Sequence, residues 1–117
     1  MTTRSNSITV EVLERDEVVV LALAGSLCDD SIAIARRALF DAIDDDPGRL
    51  AVDLSRTDYI SSAGVGMLVS VLKQCHDKGA SLGLCGLNED LRELFSITCL
   101  DQIFTLAPDV DSWCRSL

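Results

Sequence analysis

The sequence predicts an α/β protein with a mixed, mostly parallel five-stranded sheet packed by about four helices. Two strand-like segments joined by a short charged link come first, and segments with helix and strand patterns alternate from there onward. Strands alternating with helices imply crossover connections and therefore parallel strands. Aromatic residues make up only 4% of the chain, so the predicted core consists mainly of Leu, Val, Ile and Ala side chains.

The first two predicted strands form an antiparallel pair. Residues 7–14 alternate apolar and polar side chains, which is typical of a half-buried strand. Residues 18–25 form a continuous apolar run, as expected for a central strand covered on both faces. The link at 15–17 is too short for a crossover, so the first strand becomes an antiparallel N-terminal edge.

The later segments complete the predicted order ββαβαβαβα. They are a helix that Pro47 and Gly48 end, a strand at 49–55, a helix at 62–79, a strand at 81–86, a helix at 88–98, a strand at 102–107 and a helix at 108–117. Asp29 or Asp30 is the predicted N-cap of the first helix, and Asn88 that of the third.

The second helix is predicted to bury one face. Val65, Leu68, Val69 and Leu72 recur at the i, i+3, i+4, i+7 spacing of an amphipathic helix. A length of 117 residues suits a single domain, 1–117.

The charge and the cysteines restrict the classes of partner and the compartment. A net charge of −9 disfavours nucleic acid and anionic membranes, because phosphate contacts need clustered Lys and Arg. The five cysteines include no CxxC pair, which argues against a disulfide framework and a zinc site. We expect reduced core cysteines in a cytoplasmic protein. No signal peptide and no apolar run near the ~20 residues of a membrane helix is present.

The motifs of common enzymes are absent from the sequence. The single histidine, His76, lies more than three helical turns from the serines at 61 and 62, too far for a Ser-His-Asp triad. Neither GxSxG nor GxxxxGK[ST] occurs, and Val69 occupies the third glycine position of a dinucleotide fingerprint. We therefore expect no enzyme activity, no cofactor and no metal.

An alternative is the receiver domain of response regulators, in which acidic residues hold Mg²⁺ and one aspartate is phosphorylated. Asp29, Asp30 and Asp53 follow or end predicted strands as that site requires. The receiver site also needs a lysine at the end of the last strand. Lys73 and Lys78 are the only lysines, and both lie late in the second predicted helix. The acids at 29 and 30 are explained more simply as helix caps.

The segment DYISSAGVGML places two hydroxyls at a predicted helix start, at Ser61 and Ser62. Free backbone N–H groups and the helix dipole stabilise a phosphate at such a position. Gly64 and Gly66 carry no side chain that would keep a partner away, and Met67 offers an adaptable apolar contact. A docking surface with a modifiable hydroxyl is one interpretation. The other is a serine N-cap followed by small residues that pack on the sheet.

The chain resembles a STAS domain of the anti-sigma factor antagonist family over about residues 7–115. The resemblance depends on three motifs: LAGSLCD, LAVDLSRTDYISSAGVGML and CGLNEDLRELFSITCLDQIF. It implies a partner switch in which the unmodified protein binds an anti-sigma factor that is also a GHKL-type serine kinase. Phosphorylation releases that partner, and a PP2C-type phosphatase reverses it. The serine two residues before the first motif glycine is Ser62, with Ser61 as the alternate.

The resemblance also implies a partner-binding surface around this serine. The residues assigned to it are Asp58, Tyr59, Ser61, Ser62, Gly64, Val65, Gly66, Met67, Asp29 and Asp30. Two positions depart from the family pattern, since Ser61 replaces a frequent aspartate and Cys28 replaces the aspartate of the first motif. A STAS scaffold subunit of a signalling or transport complex, which never switches, stays open as the alternative. A monomer and a weak dimer both fit the sequence.

Overall fold

The computed structural model describes residues 2–4, 8–15 and 17–116, and the side chains of 8–14 and 17–116. The predicted contributions of Ser7, Asp16 and Leu117 lie outside the described residues. The strands are β1 (Thr2–Arg4), β2 (Ile8–Arg15), β3 (Val18–Leu27), β4 (Arg49–Ile60), β5 (Ser81–Cys85) and β6 (Thr105–Ala107). The helices are α1 (Asp30–Asp44), α2 (Ser62–Asp77), α3 (Glu89–Ile97) and α4 (Val110–Arg115), with a 3-10 helix at Leu100–Gln102.

The strands lie in the sheet in chain order, from β1 to β6. β2 is antiparallel to both β1 and β3, whereas β3, β4, β5 and β6 are parallel. The predicted α/β class and the order ββαβαβαβα are confirmed from β2 onward. β1 adds a three-residue strand at the antiparallel edge, so β2 is an inner strand and not the edge.

The helices divide unequally between the two faces of the sheet. α1, α2 and α3 contribute to the main core, whose largest members include Leu39, Leu68 and Phe95. The strands advance in one direction, and crossovers of the same hand put these three helices on one face. α4 covers part of the other face, where Trp113 packs in a smaller apolar cluster with Val18 and Ala51.

Two element boundaries differ from the sequence prediction by three residues or more. β4 was expected to end at residue 55, with a loop leading to α2, but it continues to Ile60 by pairing with the end of β3. The last strand was expected at 102–107 and comprises only Thr105–Ala107. The residues before it close a turn instead, because Ile103 N and Phe104 N both donate hydrogen bonds to Leu100 O.

The buried face of α2 also differs from the prediction. Leu68 is buried as expected, but Val69 is 38% exposed and Val65 and Leu72 are only partly buried. The fully buried set is Gly64, Met67, Leu68, Val71 and Cys75. These residues form an equally regular i, i+3, i+4 series, so periodicity alone did not distinguish two overlapping faces. The packing of α2 against the sheet and α1 selects between them.

Ser31, and not an aspartate, fixes the start of α1. Asp29 occupies the N-cap position with φ 51°, and its side chain makes no capping hydrogen bond. The buried Ser31 hydroxyl accepts a hydrogen bond from Cys28 N at 2.9 Å and lies 2.6 Å from Ser26 O. Asp29 thus lies at the predicted N-cap position, but its side chain does not cap the helix, and Asp30 is the first helical residue. The hydroxyl reaches the backbone of the preceding turn because that turn folds back over the helix start.

The five cysteines occur as free thiols in different environments. Cys75 and Cys85 are buried, Cys28 and Cys114 are partly buried, and Cys99 is exposed. The prediction of core cysteines is thus correct for two residues and wrong for Cys99. Burial raises the pKa of Cys75 from 9.0 to about 11 and that of Cys85 to about 12, where Asp53 adds to the effect.

These environments predict an order of thiol reactivity. We expect a disulfide reagent to modify Cys99 first, and to modify Cys75 and Cys85 only after the protein unfolds, because thiolate is the reactive form.

Burial keeps the Cys75 and Cys85 thiols protonated in the folded state. The free energy of unfolding should therefore decrease as the pH rises above 9.0, where unfolded thiols ionise, and continue to decrease to about 12, because the folded-state pKa is about 11 for Cys75 and about 12 for Cys85. Mass spectrometry of the labelled native protein and denaturant titrations across this range are the measurements. Rapid native labelling of Cys85 would contradict the prediction.

Candidate functional site

The two adjacent serines have different roles at the start of α2. Ser61 is the N-cap, and its Oγ accepts a hydrogen bond from Gly64 N at 3.1 Å. Ser62 is the first residue of the helix, and it is exposed. Ser61 is committed to capping, an interaction whose loss typically costs about 1 kcal/mol.

The extension of β4 positions the helix start. The pairing of β4 with β3 shifts register twice, and each shift inserts an extra residue into β4. As a result Leu54, Thr57 and Ile60, spaced by three, are all buried. An uninterrupted strand would alternate with a period of two. The two irregularities therefore change which β4 side chains face the core just before Ser62, which follows the carboxyl end of the strand.

Thr57 ties three elements together beneath the site. Its side chain is 2% exposed, and Oγ1 donates a hydrogen bond to Leu23 O of β3 at 2.7 Å. Its backbone oxygen accepts a longer hydrogen bond, at 3.4 Å, from the Asn88 side chain. Asn88 also caps α3 by accepting from Leu91 N, as predicted. Sequence reasoning did not identify Thr57, because the region was expected to be a loop.

The turn between β3 and α1 lies against the start of α2. Ser61 N donates a hydrogen bond to Leu27 O at 3.0 Å, and Ser26 Oγ donates one to Asp58 Oδ1 at 2.8 Å. Asp29 ends this turn and Asp30 begins α1, and both are exposed. The structure thus brings two sequence-predicted acidic residues to the same end of the sheet as Ser62.

Two residues assigned to the docking surface are interior. Gly64 is buried, and a Cβ on it would lie 2.7 Å from Leu27 O. Met67 is 5% exposed and belongs to the main core. Neither offers a contact at the surface, so the predicted roles of both in partner binding do not fit their positions. Gly66 is exposed with open space around it, as a close approach would need.

A groove opens beside Ser62, between the start of α2 and α3. Its volume is about 680 Å³. Its lining comes from β4, α2, α3 and the 3-10 helix: Asp58, Tyr59, Ile60, Ser62, Val65, Asp90, Leu91, Leu94, Thr98 and Leu100. The floor is mainly apolar. The two charged residues among the lining are aspartates, and both are exposed.

The α3 side of this groove is the part that sequence reasoning did not assign to the site. Asp90, Leu94 and Thr98 recur at intervals of four, which places them on one face of the helix. The sequence contained that spacing. What it did not contain is the proximity of this face to Ser62, which depends on the order of β4 and β5 in the sheet.

The remaining candidate residues do not assemble into a second site. His76 is exposed in the last turn of α2. Asp53 accepts a hydrogen bond from Ser55 N, and the recess beside it is not lined by Asp29 or Asp30, as a receiver-type site would require. Within residues 2–4, 8–15 and 17–116, no group of three or more His, Cys, Asp or Glu side chains is placed to hold a metal ion. No described helix is long and apolar enough to cross a membrane.

Together these features define a small α/β domain whose site is an open surface at one end of its sheet. Comparison with known proteins gives the family: the STAS domain model matches residues 9–113, and this chain belongs to the STAS domain family.

Relatives with the printed role of anti-sigma factor antagonist are similar over most of the chain. BtrV of Bordetella bronchiseptica, assigned as an anti-sigma factor antagonist, is 33% identical over 92 residues, which cover 79% of each chain. The anti-sigma-B factor antagonist of Bacillus subtilis is 29% identical over 101 residues, covering 86% of this chain and 92% of the relative. The crystal structure of an anti-sigma factor antagonist from Mycobacterium paratuberculosis superposes with a TM-score of 0.83 and 26% identity, covering 97% of each chain.

Proposed function

We propose that this protein is an anti-sigma factor antagonist that works as a phosphorylation-controlled partner switch. In its unmodified form it binds an anti-sigma factor of the GHKL serine-kinase type. That partner phosphorylates Ser62, the complex dissociates, and a PP2C-type phosphatase restores the unmodified protein. The domain acts by binding and carries no catalytic residue of its own.

The observation that carries the proposal is the exposed hydroxyl of Ser62 at the first position of α2. The same segment, residues 58–68, matches the STAS signature in which the modified serine precedes the first glycine by two residues. The division of roles between the two serines supports Ser62 over Ser61. A kinase needs a hydroxyl that makes no hydrogen bond within the fold, whereas the Ser61 hydroxyl accepts a hydrogen bond from Gly64 N.

The chemistry of the surface supports a protein partner. Phosphoserine adds close to two negative charges at neutral pH. The charged residues that line the groove together with Ser62 are Asp58 and Asp90, and both are acidic, so the groove lining offers the phosphate no countercharge. A phosphate in this position stays hydrated when the protein is free. A docked partner would have to remove that water, which is costly for an unpaired charge.

Phosphorylation of serine variants tests the proposal. The reagents are the GHKL-type kinase encoded in the same genome, Mg-ATP and four proteins: wild type, Ser62→Ala, Ser61→Ala and the double variant. We expect one phosphate per molecule on wild type and none on Ser62→Ala, as measured by intact-mass spectrometry. Ser61→Ala should still accept phosphate, more slowly if the helix start frays. Full phosphorylation of Ser62→Ala together with none on Ser61→Ala would transfer the site to Ser61.

A further inference from the structure

The groove between α2 and α3 has properties that the proposed switch does not require. A modifiable serine needs only an exposed hydroxyl. Here it lies beside a recess of about 680 Å³ with Tyr59 and Val65 on one wall and Leu94 and Leu100 on the other. The apolar surface continues past the recess, because Ile97 is 72% exposed and lies one turn after Leu94 on α3.

The charged side chains that line the groove have one sign. Asp58 and Asp90 are its only charged lining residues, and they come from opposite walls, β4 and α3. Asp58 is held in place by the hydrogen bond from Ser26 Oγ at 2.8 Å. Asp90 lies in the first turn of α3, which the Asn88 cap fixes to Thr57. The fold thus orients the Asp58 carboxylate and fixes the backbone position of Asp90, and the protein carries a net charge of −9.

We propose that this groove anchors a basic, amphipathic segment of the protein partner. An aliphatic or aromatic side chain of the segment enters between Val65 and Leu94, and Lys or Arg side chains on either side of it pair with Asp58 and Asp90. An apolar anchor in a pocket with a charged rim is the usual arrangement of an interface hot spot. The partner of this inference is the binding partner of the proposed function, on which it rests for the identity of the docked protein.

The groove also accounts for the position of the phosphorylated residue. Ser62 is part of the groove lining, so a phosphate on it would lie at the point where the anchor enters. The basic side chains of the segment are already paired with Asp58 and Asp90. A third anion would therefore be desolvated without a partner, and its hydrated bulk would block the anchor side chain. A phosphate on Ser62 would thus weaken binding at the point where the apolar anchor of the partner is buried.

A display library of random peptides, selected on the full-length protein, tests the inference without knowledge of the partner. We expect enriched peptides to carry an apolar residue flanked by Lys or Arg, and to shift the backbone NMR signals of Tyr59, Val65 and Leu94. Leu94→Ala should weaken their binding about tenfold through lost apolar contact. Asp90→Asn should weaken it about threefold, as for an exposed ion pair. Enrichment of acidic peptides, or no enrichment at this groove, would overturn the inference.

Glu89→Gln is the matched control for Asp90→Asn. It removes the same charge from the same helical turn, but Glu89 does not line the groove. Equal losses in the two variants would show an effect of net charge alone and would contradict the inference. Circular dichroism checks that Leu94→Ala is folded, and Asp90→Asn keeps the test decisive if it is not. Peptides that displace a second copy of this protein in sedimentation would identify self-association as the function of the groove and overturn the proposed partner.

The inference and the proposed function can fail separately. If the kinase modifies Ser62 and binds Leu94→Ala as tightly as wild type, the groove is not the docking site, but the proposed switch stands. Basic peptides that bind the groove in a protein whose Ser62 is never modified would do the reverse.

Discussion

Phosphorylation of Ser62 is expected to weaken binding to the kinase partner by at least about a hundredfold. Burying an unpaired dianion in a docked interface costs several kcal/mol, and ~3 kcal/mol already corresponds to more than a hundredfold in Kd. The rest of the fold does not have to rearrange, because Ser62 is exposed at the surface itself. The measurement is a calorimetric titration of unmodified and fully phosphorylated protein against the partner, without ATP.

Three variants separate charge from the loss of the hydroxyl. Ser62→Ala should bind like wild type, since an exposed hydroxyl contributes little. Ser62→Glu should bind more weakly than wild type but better than the phosphoprotein, because it carries less charge. Ser70→Glu is the control, because Ser70 is exposed on the same helix but does not line the groove. Equal affinity of unmodified and phosphorylated protein would remove the switch and favour a scaffold function.

Gly64→Ala is expected to destabilise the protein, whereas Gly66→Ala is expected to stabilise it. A Cβ at Gly64 would lie 2.7 Å from Leu27 O and 3.0 Å from Ile60 Cγ2. Leu27 O is backbone and also accepts the hydrogen bond from Ser61 N, so it cannot move aside without breaking that bond. We expect the free energy of unfolding to fall by about 2 kcal/mol, as is typical of overpacking. At Gly66 nothing lies within 4 Å, and alanine gains up to about 1 kcal/mol in helix propensity.

The pair is a matched comparison, since the substitution and the helix are the same. Urea titrations monitored by circular dichroism give both values. If the two variants had equal stability, α2 would not pack against β3 as closely as described. Partner binding adds a second readout. Gly66→Ala should keep the fold and so report directly on contact at the surface, whereas any loss of binding in Gly64→Ala has to be corrected for unfolded protein.

Local patterns along the chain were enough to predict the class of the fold and the helix on which the site lies. Alternating apolar residues in β2, the apolar run of β3 and the cap at Asn88 are local patterns with a local physical cause, so they could be interpreted without tertiary contacts. The motif around Ser62 likewise placed the hydroxyl at a helix start. The sequence pattern did not show whether Ser61 or Ser62 is the N-cap. That depends on which side-chain oxygen lies close to a free backbone N–H group of the first turn.

Features that depend on pairing between distant segments could not be predicted from such local patterns. The register shifts against β3 turned an expected loop into the end of β4 and buried Thr57. The neighbouring helices and strands selected which face of α2 is inside, and so moved Gly64 and Met67 from the predicted surface to the core. The groove exists only because the sheet places α3 beside α2. The periodicity of a helix or strand indicates that one of its faces is buried. Which element packs against that face depends on contacts between segments that are far apart in the sequence.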